Sequence, residues 1–219
     1  MGLILLAVLT AGGLGLAGGK IFSGPQSAPD LDAKVRAFLD ARRGRWHDLN
    51  VPAEDGKILY DLIVARGYKR ALEVGTSTGH SGIWIAWALH KTGGKLITIE
   101  IDEGRQAEAV RNFREAGLAD WIDARLGDGH VLVPKLDGPF DFVFLDADKE
   151  WNLEYAKALL AKMSPGGCIA VHNIAGRGRG WTREYWDFMT ARSDFETKVE
   201  TVSSGGIVLS IKKRNSAGK

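Results

Sequence analysis

The stretch Glu73-Val-Gly-Thr-Ser-Thr-Gly-His-Ser81 combines one acid, two glycines and a run of hydroxyls between a short apolar run and a stretch at helical spacing. Gly75 and Gly79 let the backbone turn sharply and approach a ligand closely, and a following helix start offers free N–H groups. Glu100 comes 27 residues after Glu73, at the end of the next apolar run, where an acid is placed to accept ribose hydroxyls. In strand–turn–helix–strand context these features describe a nucleoside site. A dinucleotide would call for three glycines at G-x-G-x-x-G spacing, and position 77 here is Ser. Glu73 would also repel a pyrophosphate, whereas it suits a cation. The pattern therefore points to S-adenosylmethionine, with its positive sulfonium, and away from a nicotinamide-dependent oxidoreductase.

The elements that must position these residues are visible as alternating short β-prone runs and helical stretches. Ala71 to Val74 precedes Ile83 to Leu89, and Leu96 to Ile99 precedes Gln106 to Ala116, with Ile122 to Leu126 as a third strand. Phe142 to Leu145 precedes Asn152 to Met163, and Cys168 to Val171 precedes Tyr185 to Ala191. Two last runs, Phe195 to Val202 and Ile207 to Ile211, are joined through Ser203-Ser-Gly-Gly206, a hairpin signal. The expected fold is α/β and doubly wound (Rossmann-like), with a mostly parallel seven-stranded sheet and a C-terminal antiparallel hairpin. Ligands of such sheets bind beyond the carboxyl ends of the strands. That singles out residues 75–81, 100–102, 127–130, 146–149 and 172–173.

The chain has 219 residues, enough for one well-cored domain, here expected over 31–219 after a linker at 23–30. A formal net charge of +2 gives no basis for a nucleic-acid partner. The single cysteine, Cys168, lies in an apolar run and excludes an internal disulfide. Residues 1–22 differ: the run from Leu3 to Ala17 is almost wholly apolar, and Lys and Arg follow it rather than precede it. That asymmetry favours a membrane anchor through residues 3–22 with the domain on the cytoplasmic face, against export after signal cleavage at Gly15-Leu16-Ala17.

Further motifs accumulate along the strand ends. Leu72 to Ser81, Thr98-Ile-Glu-Ile-Asp102, Gly127-Asp128 and Phe140-Asp-Phe-Val-Phe-Leu-Asp-Ala-Asp-Lys149 resemble the catechol and caffeoyl-CoA O-methyltransferases. Asn50 to Lys57 is similar to the segment before the first strand in that family, and the likeness spans residues 49 to 212. The resemblance implies an S-adenosylmethionine-dependent O-methyltransferase acting on a hydroxyl of a small, catechol-like molecule. It implies that Val51, Gly75, Thr76 and Ser81 line the methionine part of the cofactor, with Glu73 beneath. It places Glu100 on the ribose and Asp128 with Gly129 beside the adenine. Asp146 would sit near the cofactor and ligate a divalent metal, and Lys149 matches the family's catalytic lysine. Members of the family occur as monomers and dimers, so a homodimer is among the implied partners.

At one place the pattern breaks. The family's other metal ligands are an Asp-Asn pair, and here the residues are His172-Asn173. Magnesium prefers hard oxygen ligands, and imidazole suits softer metals. Three readings follow: His172 ligates a metal together with Asp146 and Asn173, acts as base in a metal-independent reaction, or is structural. A non-catalytic cofactor-binding protein is the alternative from another class. Gly176 to Trp186, with Arg177, Arg179 and Trp181, reads either as a lid over an acceptor or as a solvated loop. No chemistry is assigned to His80, His90 or His130.

Overall fold

The computed structural model describes residues 30–173, 180–201 and 205–214. Two helices come first, α1 (Leu31–Ala41) and α2 (Ala53–Arg66), followed by β1 (Arg70–Val74). The chain then alternates through α3 (His80–Thr92), β2 (Lys95–Glu100), α4 (Glu103–Ala116), β3 (Ile122–Leu126), α5 (Gly129–Leu132) and β4 (Phe140–Leu145). It continues with α6 (Asn152–Leu159), β5 (Met163–His172), α7 (Gly180–Thr190), β6 (Phe195–Glu200) and β7 (Ile207–Lys212). The seven strands form one sheet in the order β3-β2-β1-β4-β5-β7-β6. β1 to β5 are mutually parallel, and β7 runs antiparallel to both β5 and β6.

The period-two alternation of the strands divides the core between two faces. Leu72, Val74, Val143, Leu145, Ile169 and Val171 pack on one side against Tyr155 and Leu159 of α6 and Tyr185 and Met189 of α7. Ala71, Phe142, Phe144, Cys168 and Ala170 face the other side, against Leu59 and Ile63 of α2 and Ile85 and Leu89 of α3. A third cluster, built on Val35, Ile83, Trp87 and Phe113, binds α1 and α4 to the outer face of α3. Both sheet faces are covered, as the near-continuous apolar runs of the central strands require.

Two local features differ from expectation. β5 starts five residues before Cys168, because Met163 already pairs with Phe140 ahead of a register shift. The four-residue α5 lacks the length for a periodic signal and was invisible in the sequence. The expectation of a membrane-facing location is corrected. Among the described residues no helix is long and apolar enough to cross a membrane. The longest, α2 and α4, have 14 residues, about 21 Å, against a hydrocarbon core of about 30 Å. Residues 1–22, on which the anchor and cleaved-signal readings rested, lie outside the described residues. So do residues 202–204 of the hairpin turn and 174–179 of the segment read as a lid.

Candidate active site

β1 and β4 are neighbours in the sheet, but the connections leaving them run in opposite directions, so their carboxyl ends diverge into a crevice. The turn after β1 forms one wall. Gly75 has φ +96°, and a Cβ there would stand 2.6 Å from the carbonyl oxygen of Asp146, so only glycine fits. Its N–H donates to Ile99 O at 3.0 Å, while Asp146 N–H donates to Val74 O at 2.9 Å, joining the ends of three strands.

Glu73 is fully buried beneath this turn. Burial pushes its carboxyl up to about 7, although hydrogen bonds from Ser81 and Thr98 pull the other way. Thr98 Oγ1 donates to Glu73 Oε2 at 2.6 Å and also bonds the Thr76 hydroxyl. Thr76 and Ser81 thus tie the turn to the buried acid. Glu73 Oε1 is buried without a hydrogen-bond partner among the described residues, and a buried acid left so fits a cationic group nearby.

Glu100 closes the second side. Ser77 N–H donates to its Oε2 at 2.7 Å, and the N–H groups of Ile101 and Asp102 donate to Oε1 at 3.0 Å each. The carboxylate is held rigidly where it lines a cavity of about 440 Å³ with Gly75, Asp128, Gly129 and Asp146. Asp128 caps α5, accepting from His130 N–H at 2.8 Å. Gly129 is also required: a Cβ would lie 2.8 Å from the Tyr155 hydroxyl and 2.9 Å from Val74 Cγ1. A volume of this order is that of an ordinary small-molecule pocket.

The segment before α2 forms a strap beside this cavity. Val51 is buried, and its carbonyl accepts a hydrogen bond from His80 Nδ1 at 2.8 Å. Trp84 Nε1 donates to His80 Nε2 at 3.1 Å, so the ring is held as the neutral Nδ1–H tautomer. Burial accordingly lowers its pKa. Trp46 stacks on the same ring at 4.5 Å. A larger groove of about 930 Å³ opens on the far side of the strap, lined by Trp46, Trp84 and Trp87, without the acids and glycine turn of the first cavity.

The chemistry-bearing side chains converge where β4 and β5 end. Lys149 Nζ pairs with Asp146 Oδ1 at 2.5 Å. His172 Nδ1 lies 3.2 Å from the same oxygen, and His172 Nε2 lies 2.8 Å from Asp55 Oδ2. Asp55, in the first turn of α2, is fully buried and 117 residues away in sequence. Burial opposes charge on the imidazole, yet the carboxylates of Asp146 and Asp55 outweigh it and push the pKa up to about 9. Each ring nitrogen of His172 thus lies within hydrogen-bond distance of a carboxylate oxygen, and a ring protonated at both donates to each.

In that arrangement both ring nitrogens are already engaged. A protonated ring nitrogen has no lone pair to give a metal. Asp146 Oδ1 already faces two cations, and Asn173 is exposed with φ +61°. Among the described residues no group of three or more His, Cys, Asp or Glu side chains is arranged to hold a metal ion. The set expected from the family pattern, Asp146, His172 and Asn173, does not fit one. The same occupancy leaves His172 without a free nitrogen to act as base.

Sequence reasoning missed the partners of three histidines, His172, His80 and His130. Asp55 was passed over within the strap motif. His80 and His130, assigned no chemistry, both have defined ones. His130 Nε2 lies 2.8 Å from Asp148 Oδ2, and the ring stacks on Trp151 at 3.7 Å. Asp148 also accepts from the Tyr155 hydroxyl at 3.0 Å, forming a polar post at the Gly129 end of the cavity.

A glycine turn over a buried acid, a second acid held by three N–H groups, and a crevice at the switch point define an S-adenosylmethionine-dependent methyltransferase. Comparison with known proteins agrees. The pattern describing the O-methyltransferase family matches residues 30–187, and the chain belongs to that family. It is 38% identical over 152 residues to a catechol O-methyltransferase from Niastella koreensis, covering 68% of each chain. An O-methyltransferase from Bacillus cereus, solved in complex with S-adenosylhomocysteine, superposes with a TM-score of 0.72 at 26% identity, over 83% of this chain and 91% of that one. TomG from Streptomyces achromogenes, solved with S-adenosylmethionine and involved in tomaymycin synthesis, gives 0.71 at 30% identity, over 82% and 89%.

Proposed function

We propose that this O-methyltransferase moves the methyl group of S-adenosylmethionine to a hydroxyl of a small aromatic molecule, with Lys149 as the proton acceptor. The observation that carries the reading is the Lys149–Asp146–His172 constellation, whose central Asp146 lines the cavity. Relatives named for catechol and caffeoyl-CoA support an aromatic hydroxyl as acceptor.

The reaction is a direct displacement. The acceptor oxygen forms a bond to the methyl carbon as the carbon–sulfur bond breaks, and the bonding pair stays on sulfur. Holding oxygen, carbon and sulfur in line supplies much of the rate. Glu73 and the turn above it fix the sulfonium end, and Glu100 fixes the nucleoside end. Lys149, paired with Asp146, gives a proton to solvent, which its side chain reaches with 21% of its surface, and the free amine then takes the hydroxyl proton. The charge that Lys149 takes up with the proton stays beside the Asp146 carboxylate, the electrostatic help such a step needs. No step is routed through a metal, because the residues present do not fit one.

The test is methyl transfer from labelled S-adenosylmethionine to catechol, a hydroxycinnamate and a simple phenol, followed by product mass. Lys149→Met should lower kcat by about 100-fold or more, the usual contribution of a positioned base, with cofactor affinity unchanged. Cofactor binding without transfer to any of these hydroxyls overturns the assignment.

A further inference from the structure

Asp55 is a fully buried acid that the cofactor site does not use. Its place is fixed by close packing of α2 on α3: at the adjacent Gly56 a Cβ would stand 2.2 Å from the Trp84 ring. From there it reaches across to β5 and bonds His172 Nε2 at 2.8 Å. The other ring nitrogen faces Asp146 Oδ1 at 3.2 Å, and Lys149 covers that oxygen from outside. Two acidic and two basic side chains therefore alternate in a row, Asp55, His172, Asp146, Lys149. A divalent ion placed among them would add two positive charges beside two basic groups and a cofactor that is itself positive at sulfur.

We propose that His172, clamped between Asp55 and Asp146, is the built-in cation of this site, standing where a divalent metal would otherwise be held, and that Asp55 is the positioning residue that keeps it there. The inference rests on the O-methyl-transfer reading for its purpose, but its geometry is independent of turnover. An ordinary buried histidine needs one acceptor for one N–H; this one has a carboxyl group at each end, an arrangement that a doubly protonated ring satisfies by donating to both. Asp55 supplies the second carboxylate, and the imidazolium facing it offsets the cost of burying its charge.

The experiment measures metal binding and ring protonation, not activity. The purified full chain, saturated with S-adenosylhomocysteine, is titrated with Mn²⁺ and followed by electron paramagnetic resonance and calorimetry. Chain labelled with ¹⁵N-histidine reports the protonation of His172. The wild type should show no saturable Mn²⁺ binding below about 1 mM, and both His172 ring nitrogens protonated at pH 7. H172D, which gathers three carboxylates at positions 55, 146 and 172, should bind Mn²⁺ at least 100-fold more tightly than the wild type. D55N should convert one His172 nitrogen to the unprotonated form, and D55E should restore it. Micromolar, stoichiometric Mn²⁺ on the wild type, an unprotonated nitrogen in its His172 ring, or no gain of binding in H172D each overturns the proposal. Because H172D reads gain of binding, the test stands even if D55N fails to fold. Failure of methyl transfer with these binding results intact would count against the proposed function alone.

Discussion

Replacing Glu73 by Gln isolates what a buried acid beneath the cofactor turn does to the empty protein. The folded carboxyl sits near 7 rather than the ordinary 4.5. Below pH 4.5 it is protonated in both folded and unfolded states, and it contributes no difference. Between 4.5 and 7 the unfolded chain ionises while the folded one does not, so stability falls as pH rises. Above 7 the penalty is complete. A shift of this size corresponds to about 3 kcal/mol. Glutamine keeps the shape and removes the charge, though it meets Thr98 and Ser81 with one fewer acceptor. E73Q should therefore gain roughly 1–3 kcal/mol at pH 8.5, several degrees in Tm for a domain of this size, and gain nothing at pH 5. His172 also loses its stabilising proton as pH rises through about 9, so the quantity to read is the difference between variant and wild type at each pH. Urea unfolding at the two pH values measures it. Calorimetry with S-adenosylmethionine and S-adenosylhomocysteine then shows whether the charge serves the sulfonium: the preference for the former should drop about tenfold, roughly 1.4 kcal/mol. Equal destabilisation at both pH values, with the preference intact, would refute the reasoning.

Four other outcomes are expected. Glu100→Ala removes the acceptor of three backbone N–H groups, and, with it, the acceptor proposed for the ribose, so calorimetry should show cofactor affinity falling about 100-fold, equivalent to roughly 3 kcal/mol. Gly75→Ala forces a side chain into the Asp146 carbonyl at φ +96°; a loss of about 2 kcal/mol or more in urea unfolding is expected, with cofactor binding abolished. The Cys168 thiol is buried and pushed up to about 12, so a thiol reagent at pH 8 should label it only at the rate of global unfolding. On the proposed metal-free reading, kcat/KM for catechol and for a single-hydroxyl analogue should agree within about tenfold, and EDTA should change neither.

How much of this could be read in advance depended on the distance over which each contact acts. Strand runs such as Ile122 to Leu126 follow from local periodicity, and their alternation with helices implied the parallel sheet. The glycine turn and Glu100 were legible because each lies at a strand end, where the fold rule places ligands. The clamp on His172 was not. Its second carboxylate, Asp55, is 117 residues away on a helix whose acids look like an ordinary solvated first turn. Nothing local distinguishes Asp55 from Glu54, which is exposed; only the packing of α2 on α3 turns one of them inward. The same holds for His80 and His130, whose partners Val51 and Asp148 are brought to them by the sheet.

β7 is the final strand to be synthesised, yet it lies between β5 and β6, with Ile207 paired to His172. On the ribosome, every other strand of the sheet has emerged before the one that covers the outer side of β5. Until it arrives, a row of unpaired amides and carbonyls from Cys168 to His172 is open to pairing with a neighbouring nascent chain. The half of the sheet from β3 to β4 can therefore assemble early, while the corner at His172 waits for β7.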